Sequence, residues 1–185
     1  MLPALAGWRV AAPRTRLAIL GLNPRALARQ MEQGDIDLAF HTSEDAPVEL
    51  RRRSMFTERY VLVGRAGHPC LKRRPTLRQF CKLDHAIVSP VGGGFHGVTD
   101  TALARQGMVR NVVLSVPHFL FLGAALAQTD LVALVPSRLV RGNGALQVVE
   151  PPLDVAGFEM SMLWRERSHR DPAHQWLREH IGMSV

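Results

Sequence analysis

Three histidines of this sequence lie where loops are expected beside apolar segments: His41, His96 and His118. An imidazole donates a hydrogen bond to a carboxylate or phenolate oxygen, and three imidazoles also bind a metal ion that keeps one position open for water. No side chain that would orient a ligating imidazole is evident in these loops. The pattern therefore favours recognition of a small organic acid over a metal site, and a surface or capping role stays open for each histidine taken singly.

The second candidate is a glycine-rich stretch, SPVGGGFHGVTD at residues 89–100, which contains the pattern GxGxxG at Gly92, Gly94 and Gly97. Such glycines let backbone amides approach a pyrophosphate at the start of a helix. A dinucleotide site also needs an acidic residue at the end of the next strand, and the sequence there is Ser115-Val116-Pro117. We therefore expect no nucleotide cofactor. The stretch is either a turn that approaches a small anion or a loop that only needs positive φ.

Covalent chemistry has little support in the sequence. The pattern GxSxG does not occur, and Ser89 is followed by Pro90 rather than by a base. The two cysteines, Cys70 and Cys81, are too few for a disulfide scaffold and lack the spacing of metal ligands, so reduced thiols are expected. A redox-sensing pair stays an alternative, because only a short predicted helix separates them. We expect no catalytic residue and no metal.

Composition and charge narrow the class of protein. The chain has 185 residues, 46% of them hydrophobic, which suits one large or two small packed domains. No apolar run reaches the roughly 18 residues of a membrane span, and the N-terminus lacks the features of a signal peptide. We therefore expect a cytoplasmic protein without membrane contact. The net charge of +7 suits an anionic partner such as nucleic acid, or is a solvated basic surface with no partner.

The order of the predicted elements indicates an α/β fold. Residues 15–20 (TRLAIL) and 36–40 (IDLAF) are predicted to be buried strands, and a helix between them begins at Asn23-Pro24 and ends at Gly34. This βαβ order predicts two parallel strands in a first lobe. A later series alternates in the same way and predicts a second, βαβαβ lobe. Its segments are 86–89, 99–106, 111–116, 119–128 and 131–135.

Two further strands are predicted to join the lobes. Residues 159–164 form an apolar strand that is expected to pair with residues 59–64, after which Asp171-Pro172 begins a last helix. We therefore predict two Rossmann-like α/β lobes joined by two crossing strands, with a ligand cleft between them. The first lobe would comprise residues 1–63 and 163–185, and the second lobe residues 64–162.

Five short segments carry packing and turn signals, of which Gly34 at a helix end is one example. They are Leu2-Pro3-Ala4-Leu5, Gly34-Asp35-Ile36-Asp37-Leu38-Ala39, Gly67-His68-Pro69, Thr129-Asp130-Leu131-Val132-Ala133-Leu134-Val135-Pro136 and Asp171-Pro172-Ala173-His174-Gln175-Trp176-Leu177-Arg178. In this order and spacing they resemble the effector-binding domain of LysR-type transcriptional regulators, over nearly the whole chain. None of them is catalytic.

The resemblance implies a type 2 periplasmic-binding-protein fold, a pocket for a small-molecule inducer and a homo-oligomer, either dimer or tetramer. Full-length regulators of this kind begin with a winged helix-turn-helix that this sequence lacks, so DNA would be bound only through a domain outside this chain. We therefore expect an effector sensor that controls transcription. The alternatives are a stand-alone solute-binding protein of the same fold, disfavoured by the absent signal peptide, and, less favoured, an enzyme on that scaffold.

Loops at the strand ends that face the cleft are expected to supply the effector contacts. They are residues 40–43, 89–97, 116–119 and the neighbourhood of Pro136. Phenylalanine rings in these loops would face an aromatic ring and the histidines would bind its acid group, so the expected effector is an aromatic or other organic acid. The candidate ligand-binding residues are His41, Thr42, Ser89, Phe95, His96, Val116, His118 and Phe119.

Overall fold

The structure is a computed structural model, and it describes residues 2–90 and 93–183. The chain folds into two compact units: unit 1 comprises Met1–Thr57 and Phe158–Val185, and unit 2 comprises Glu58–Gly157. No helix among the described residues is long and apolar enough to cross a membrane.

The helices and strands follow one another along the chain in a mixed α/β order. They are α1 (Leu2–Ala11), α2 (Leu27–Gln33), β1 (Ala39–Thr42), β2 (Arg51–Glu58), β3 (Tyr60–Arg65), α3 (Leu77–Cys81), β4 (Asp84–Val88), α4 (Val98–Ala104), β5 (Asn111–Val116), α5 (Phe119–Gln128), β6 (Ala133–Pro136), β7 (Leu146–Val149), β8 (Phe158–Trp164) and α6 (Pro172–Gly182), with 3-10 turns at Ser137–Val140 and Glu166–Ser168.

Unit 1 is built on a three-stranded sheet in the order β1-β8-β2. Successive residues of β8 face opposite sides of this sheet, as the pleat requires. Leu163 packs with Leu27 and Met31 of α2, whereas Met162 packs with Ala4 of α1 and Ile181 of α6. Helices therefore cover both faces, and all of these side chains are at least nine-tenths buried.

The structure corrects two of the strand predictions in this unit. Residues 15–20 carry no strand, and Ile19 and Leu20 are 61% and 63% exposed, so the predicted parallel βαβ arrangement does not form here. β1 instead pairs antiparallel with β8, in a register that places His41 opposite Ser161. The prediction that residues 159–164 pair with residues 59–64 was also wrong, because β8 lies between β1 and β2. Periodicity predicts which residues favour a strand, but not which other strand they pair with.

Unit 2 bears out the predicted alternation of strands and helices. β4 and β5 are parallel, and α4 connects them. An isolated parallel bridge joins His85 of β4 to Val132, the residue just before β6. β6 and β7 then flank the apolar strand β3 on its two sides, both antiparallel to it. β3 is the central strand of its sheet, as its apolar composition favours.

Local capping interactions define the ends of three helices, and those at Asp171 and Gly34 were predicted. Asp171 accepts a hydrogen bond from the amide of His174 at the start of α6, over 2.7 Å. Thr76 and Gln79 form a reciprocal capping box at the start of α3. Gly34 ends α2 with φ +85°, a left-handed conformation that glycine adopts without a Cβ penalty.

His85 is a fully buried histidine in β4. Its Nε2 lies 2.9 Å from the carbonyl oxygen of Phe80, and its ring packs edge-on against the Phe80 ring with centroids 4.5 Å apart. Burial lowers the pKa of His85 from 6.5 to about 4, so the imidazole is neutral at pH 7 and donates through Nε2.

We predict that the free energy of unfolding decreases as the pH falls from 7.5 to 5. The unfolded chain takes up a proton at His85 below about pH 6.5 while the folded chain resists it, which costs about 2 kcal/mol of stability by pH 5. Urea unfolding at both pH values measures the change. His85→Gln removes the titrating group, so its pH dependence should be smaller by that amount; an equal dependence in both proteins contradicts the prediction.

Candidate functional site

Two parallel strands of unit 2 end side by side and bring predicted residues together. Ser89 follows β4 and Val116 ends β5, and the amide of Ser89 donates to the carbonyl oxygen of Val116 over 2.8 Å. His118 and Phe119 follow two and three residues later, at the start of α5. Four of the eight predicted residues therefore lie at one edge of the β4/β5 sheet, as the parallel order of these strands requires.

The first turn of α5 offers hydrogen-bond donors at this edge. His118 is its N-cap residue with an extended backbone, and the His118 side chain makes no capping hydrogen bond within the described chain. The first amides of a helix lack partners inside the helix and carry partial positive charge. The Phe119 side chain beside them is 41% exposed. This end of α5 is suited to a carboxylate attached to an apolar or aromatic group.

The glycine loop is attached to the same edge by two serines. The Ser89 hydroxyl accepts from the amide of Gly94 over 3.2 Å, and the Ser115 hydroxyl donates to the carbonyl oxygen of Gly94 over 2.7 Å. A Cβ at Gly94 would lie 2.9 Å from the Ser89 hydroxyl oxygen, so a larger residue here would displace that hydroxyl. Gly92, the first glycine of the GxGxxG pattern, lies outside the described residues.

The other end of the loop is held by a buried ion pair. Arg110 donates through Nε and Nη2 to the two carboxylate oxygens of Asp100, each over 2.8 Å, and Asp100 also accepts from the amide of Gly97 over 2.8 Å. The two side chains are only 1% and 16% exposed, respectively. Burial raises the pKa of Asp100, but the bound Arg110 guanidinium more than offsets it, and the pKa lies below its ordinary value. Asp100 is therefore ionised at neutral pH.

Phe95 and His96 lie between these two attachments. Both line a pocket of about 350 Å³ next to Asp100 and Arg110, whose other walls are largely apolar. The lining does not include Ser89, Val116, His118 or Phe119. The predicted residues of unit 2 thus form two groups, one at the strand ends and one in this pocket. The further lining residues are Leu103, Ala104, Met108, Val109, Asn111 and Val112.

His41 and Thr42 lie at the end of β1 in unit 1. The Thr42 hydroxyl donates to Asp45 over 2.8 Å, and the His41 Nδ1 lies 3.2 Å from that hydroxyl oxygen and 3.1 Å from the Thr42 carbonyl oxygen. Because the hydroxyl proton is used by Asp45, Nδ1 must be the donor. A neutral His41 then presents Nε2 only as an acceptor, so it is suited to a hydroxyl group of a ligand rather than to a carboxylate.

Next to these residues is a polar pocket of about 550 Å³ in unit 1. The Ser43 hydroxyl donates to Glu159 over 2.7 Å and lies 2.6 Å from the hydroxyl of Ser161, and Arg52 donates to the Ser43 carbonyl oxygen over 2.9 Å. Hydrogen bonds from Ser43 and Ser54 lower the pKa of Glu159. The pocket is lined by Ser43, Glu44, Arg52, Ser54, Glu159 and Ser161.

Of the residues that line this polar pocket, only Ser43 lies in a loop predicted to contact the effector. Four of the others lie at alternate positions of two strands, Arg52 and Ser54 in β2 and Glu159 and Ser161 in β8. Polar residues at a spacing of two mark one face of a strand and are the signal for these positions. The proximity of the two strands depends on their pairing, and the predicted pairing of β8 was wrong.

The residues that follow Pro136 form hydrogen bonds with the side chain of Glu58. The Glu58 carboxylate accepts from the amide and hydroxyl of Ser137 over 3.0 and 2.7 Å, and from the amide of Arg138 over 3.1 Å. Burial raises the pKa of Glu58, but these hydrogen bonds bring it below its ordinary value. Glu58 therefore occupies the donors at the start of this 3-10 turn.

The metal and redox alternatives depend on histidine, carboxylate and cysteine side chains. Among residues 2–90 and 93–183, no three His, Cys, Asp or Glu side chains are grouped to hold a metal ion. Cys70 is exposed and Cys81 is half-buried, both as free thiols. Burial raises the pKa of Cys81, which lowers its thiolate fraction.

Comparison with known proteins identifies the class. The family model described as the LysR substrate binding domain matches residues 1–184. The HTH-type transcriptional regulator SyrM 1 of Sinorhizobium fredii is 38% identical over 161 residues, covering 85% of this chain and 47% of that protein. The HTH-type transcriptional activator NagR of a Ralstonia species is 34% identical over 171 residues, covering 91% and 56%. The chain spans about half the length of these curated relatives.

The fold agrees with this assignment. The regulatory domain of MexT, a transcriptional activator in Pseudomonas aeruginosa, superposes with a TM-score of 0.83 at 31% identity, covering 99% of this chain and 92% of that chain. The predicted two-lobed α/β fold of the type 2 periplasmic-binding-protein class is thereby confirmed. The chain belongs to the LysR substrate-binding domain family.

We predict that Arg110→Met destabilises unit 2 strongly. The substitution leaves the buried Asp100 carboxylate without its cation, and breaking a buried pair costs about 3 kcal/mol or more. The Gly97 amide, which donates to Asp100, should exchange its hydrogen faster. Urea unfolding and hydrogen exchange measure the two effects.

Arg59→Met provides the matched control for that substitution. Arg59 also binds a carboxylate, Glu150, but these two side chains are 61% and 59% exposed. Exposed pairs contribute less than about 1 kcal/mol. Equal losses of stability in the two variants contradict the structural role of the Asp100–Arg110 pair.

Proposed function

We propose that this chain senses a small organic acid and passes its binding to the control of transcription through a DNA-binding domain of a longer protein. The observation that carries the proposal is that the parallel strands β4 and β5 end close to the start of α5. There the His118 side chain makes no capping hydrogen bond. Membership of the LysR substrate-binding domain family supports it, because the similar proteins are regulators. The same membership favours a sensor over a solute-binding protein or an enzyme on this scaffold.

The proposed effector carries an acid group and an aromatic ring. Its carboxylate accepts from the first amides of α5 and from His118, and Phe119 packs on the ring. The backbone hydrogen bond between Ser89 and Val116 supports this binding position, because it holds the ends of β4 and β5 together. Phe95 and His96 form the second group of contacts proposed in unit 2.

In this proposal unit 1 contributes a hydrogen-bond acceptor. A hydroxyl group of the effector donates to the Nε2 of His41, and Thr42 and Asp45 hold that imidazole in its tautomer. The cleft expected between two lobes, with lobe boundaries at residues 63/64 and 162/163, stays a prediction. Coupling to transcription requires that the effector bind two conformations of the protein unequally.

Self-association and a cytoplasmic location belong to the same proposal. Leu120 and Phe121 of α5 are 90% and 60% exposed, and neighbouring apolar side chains of this size at a helix surface favour burial against another chain. We propose a homo-oligomer that buries them. A protein that controls transcription in a bacterium acts in the cytoplasm, where its DNA is.

The proposal predicts that aromatic acids stabilise the chain through His118. A thermal-shift screen uses benzoate, salicylate, 4-hydroxybenzoate and phenylacetate against the wild-type protein. A ligand at about 100 times its Kd should raise the midpoint by roughly 5–10 °C, because native-state binding at that ratio contributes about 2.7 kcal/mol.

Two substitutions at His118 separate recognition from helix stability. His118→Ala removes the imidazole and leaves the helix start without a side-chain cap, as in the wild type, whereas His118→Asn removes the imidazole but provides a side chain that caps a helix well. Loss of the ligand-induced shift in both variants, with the unliganded midpoint of His118→Asn at or above that of the wild type, supports the proposal. A shift that survives in both variants, or no shift with any of the acids, contradicts it.

A further inference from the structure

One surface segment of unit 2 concentrates positive charge and contains no acidic residue, although Asp84 follows directly after it. Residues 71–83, LKRRPTLRQFCKL, contain five cations and no Asp or Glu. All five cationic side chains are exposed, and among the described residues none of them forms an ion pair or a hydrogen bond. We call these five residues the basic strip: Lys72, Arg73, Arg74, Arg78 and Lys82.

The backbone under the basic strip is firmly held. Leu71 and Phe80 are fully buried in a core cluster of unit 2. The capping box between Thr76 and Gln79 sets the start of α3, with the Thr76 amide donating to the Gln79 side chain over 2.8 Å. Cations on a fixed backbone lose less conformational freedom when they bind a partner, so the strip is preorganised.

The other basic cluster of the chain differs in its surroundings. In the triplet at residues 51–53, Arg51 forms an ion pair with Glu166 and Arg52 donates to the carbonyl oxygen of Ser43. The guanidinium of Arg53 packs against the end of α6, 3.3 Å from where a Cβ of Gly182 would stand. The two arginine-rich segments therefore differ. The arginines at 51–53 contact other groups of unit 1, whereas the side chains of the basic strip face solvent and form no ion pair among the described residues.

We propose that the basic strip binds the phosphate backbone of duplex DNA, independently of base sequence. Five like charges on one short segment repel one another, and a polyanion removes that repulsion. Phe80 is the only aromatic residue of the segment and is fully buried, so the strip has no platform for stacking single-stranded bases. α3 has five residues, too few to read a groove.

The choice of DNA as the partner rests on the proposed function, and it revises the expectation that DNA is bound only through a domain outside this chain. A regulator domain carried next to a DNA-binding domain stays within reach of the DNA on either side of the bound site. Contacts there would add affinity without reading sequence, and they would be salt-dependent. Neutralising five phosphates contributes a slope of about −4.5 to log Kobs against log salt concentration.

Fluorescence anisotropy of a labelled 40-base-pair duplex, titrated with the 185-residue chain at several KCl concentrations, tests the proposal. The strip variant replaces Lys72, Arg73, Arg74, Arg78 and Lys82 by Gln. The matched control replaces five exposed arginines of unit 1 by Gln: Arg9, Arg14, Arg16, Arg25 and Arg29. Removing five positive charges lowers the net charge from +7 to +2 in both variants.

The expected result is a loss of duplex binding in the strip variant alone. Its salt slope should be less steep by about 4.5 and its affinity at low salt more than tenfold weaker, while the control stays near the wild type. All three proteins should keep their thermal midpoints, because the substituted side chains are exposed. Equal losses in both variants would mean that net charge alone drives binding, and unchanged binding in the strip variant would mean that the strip is not the contact; either overturns the proposal.

Polyglutamate as competitor distinguishes DNA from an acidic protein partner. At equal charge concentration it should compete more weakly than unlabelled duplex, whose charges are spaced about 1.7 Å apart along the axis. Competition as strong as that of the duplex assigns the strip to acidic protein and overturns the DNA proposal. None of these measurements includes an aromatic acid, so their failure and a failure of the effector screen are separate results.

Discussion

The two-sided burial of β3 is the constraint on which unit 2 depends. Val61 and Val63 enter one core cluster and Leu62 the other, and all three are essentially inaccessible to solvent. Because alternate side chains of a strand face opposite sides, a slip of one residue would exchange the two sets and disrupt both clusters. The strand continues into Gly64, where a Cβ would lie 2.8 Å from Leu71. The register of β3 is therefore determined along most of its length.

That register positions the groups of the candidate site. β6 pairs with β3, and the bridge from Val132 to His85 connects β4 and β5 to the same framework. The ends of these parallel strands then place Ser89 beside Val116, and the glycine loop is attached at both of its ends. Short polar contacts on a rigid sheet give a small binding site its precision, because loops alone move too freely to hold donors in place.

Charge is used differently in different parts of the chain. Arg110 is buried and neutralised by Asp100, where it holds a loop, whereas the basic strip carries the same kind of charge in full contact with solvent. A buried ion pair is costly to break and serves as a structural connection. Exposed cations contribute little to folding and act instead on partners at a distance. The net charge of +7 thus says little until the partners of each cation are known.

The sequence by itself determined the elements whose signals are local. Asp171-Pro172 predicted the start of α6, Gly34 the end of α2, and the apolar alternation of unit 2 its parallel strands, because caps, turns and side-chain periodicity act within a few residues. It also predicted that Ser89 and Val116 lie at the ends of strands. Tertiary structure alone decided that residues 15–20 form no strand and that β8 lies between β1 and β2, which creates the polar pocket of unit 1. Strand pairing joins segments more than a hundred residues apart, and its energy comes from partners that no local pattern specifies.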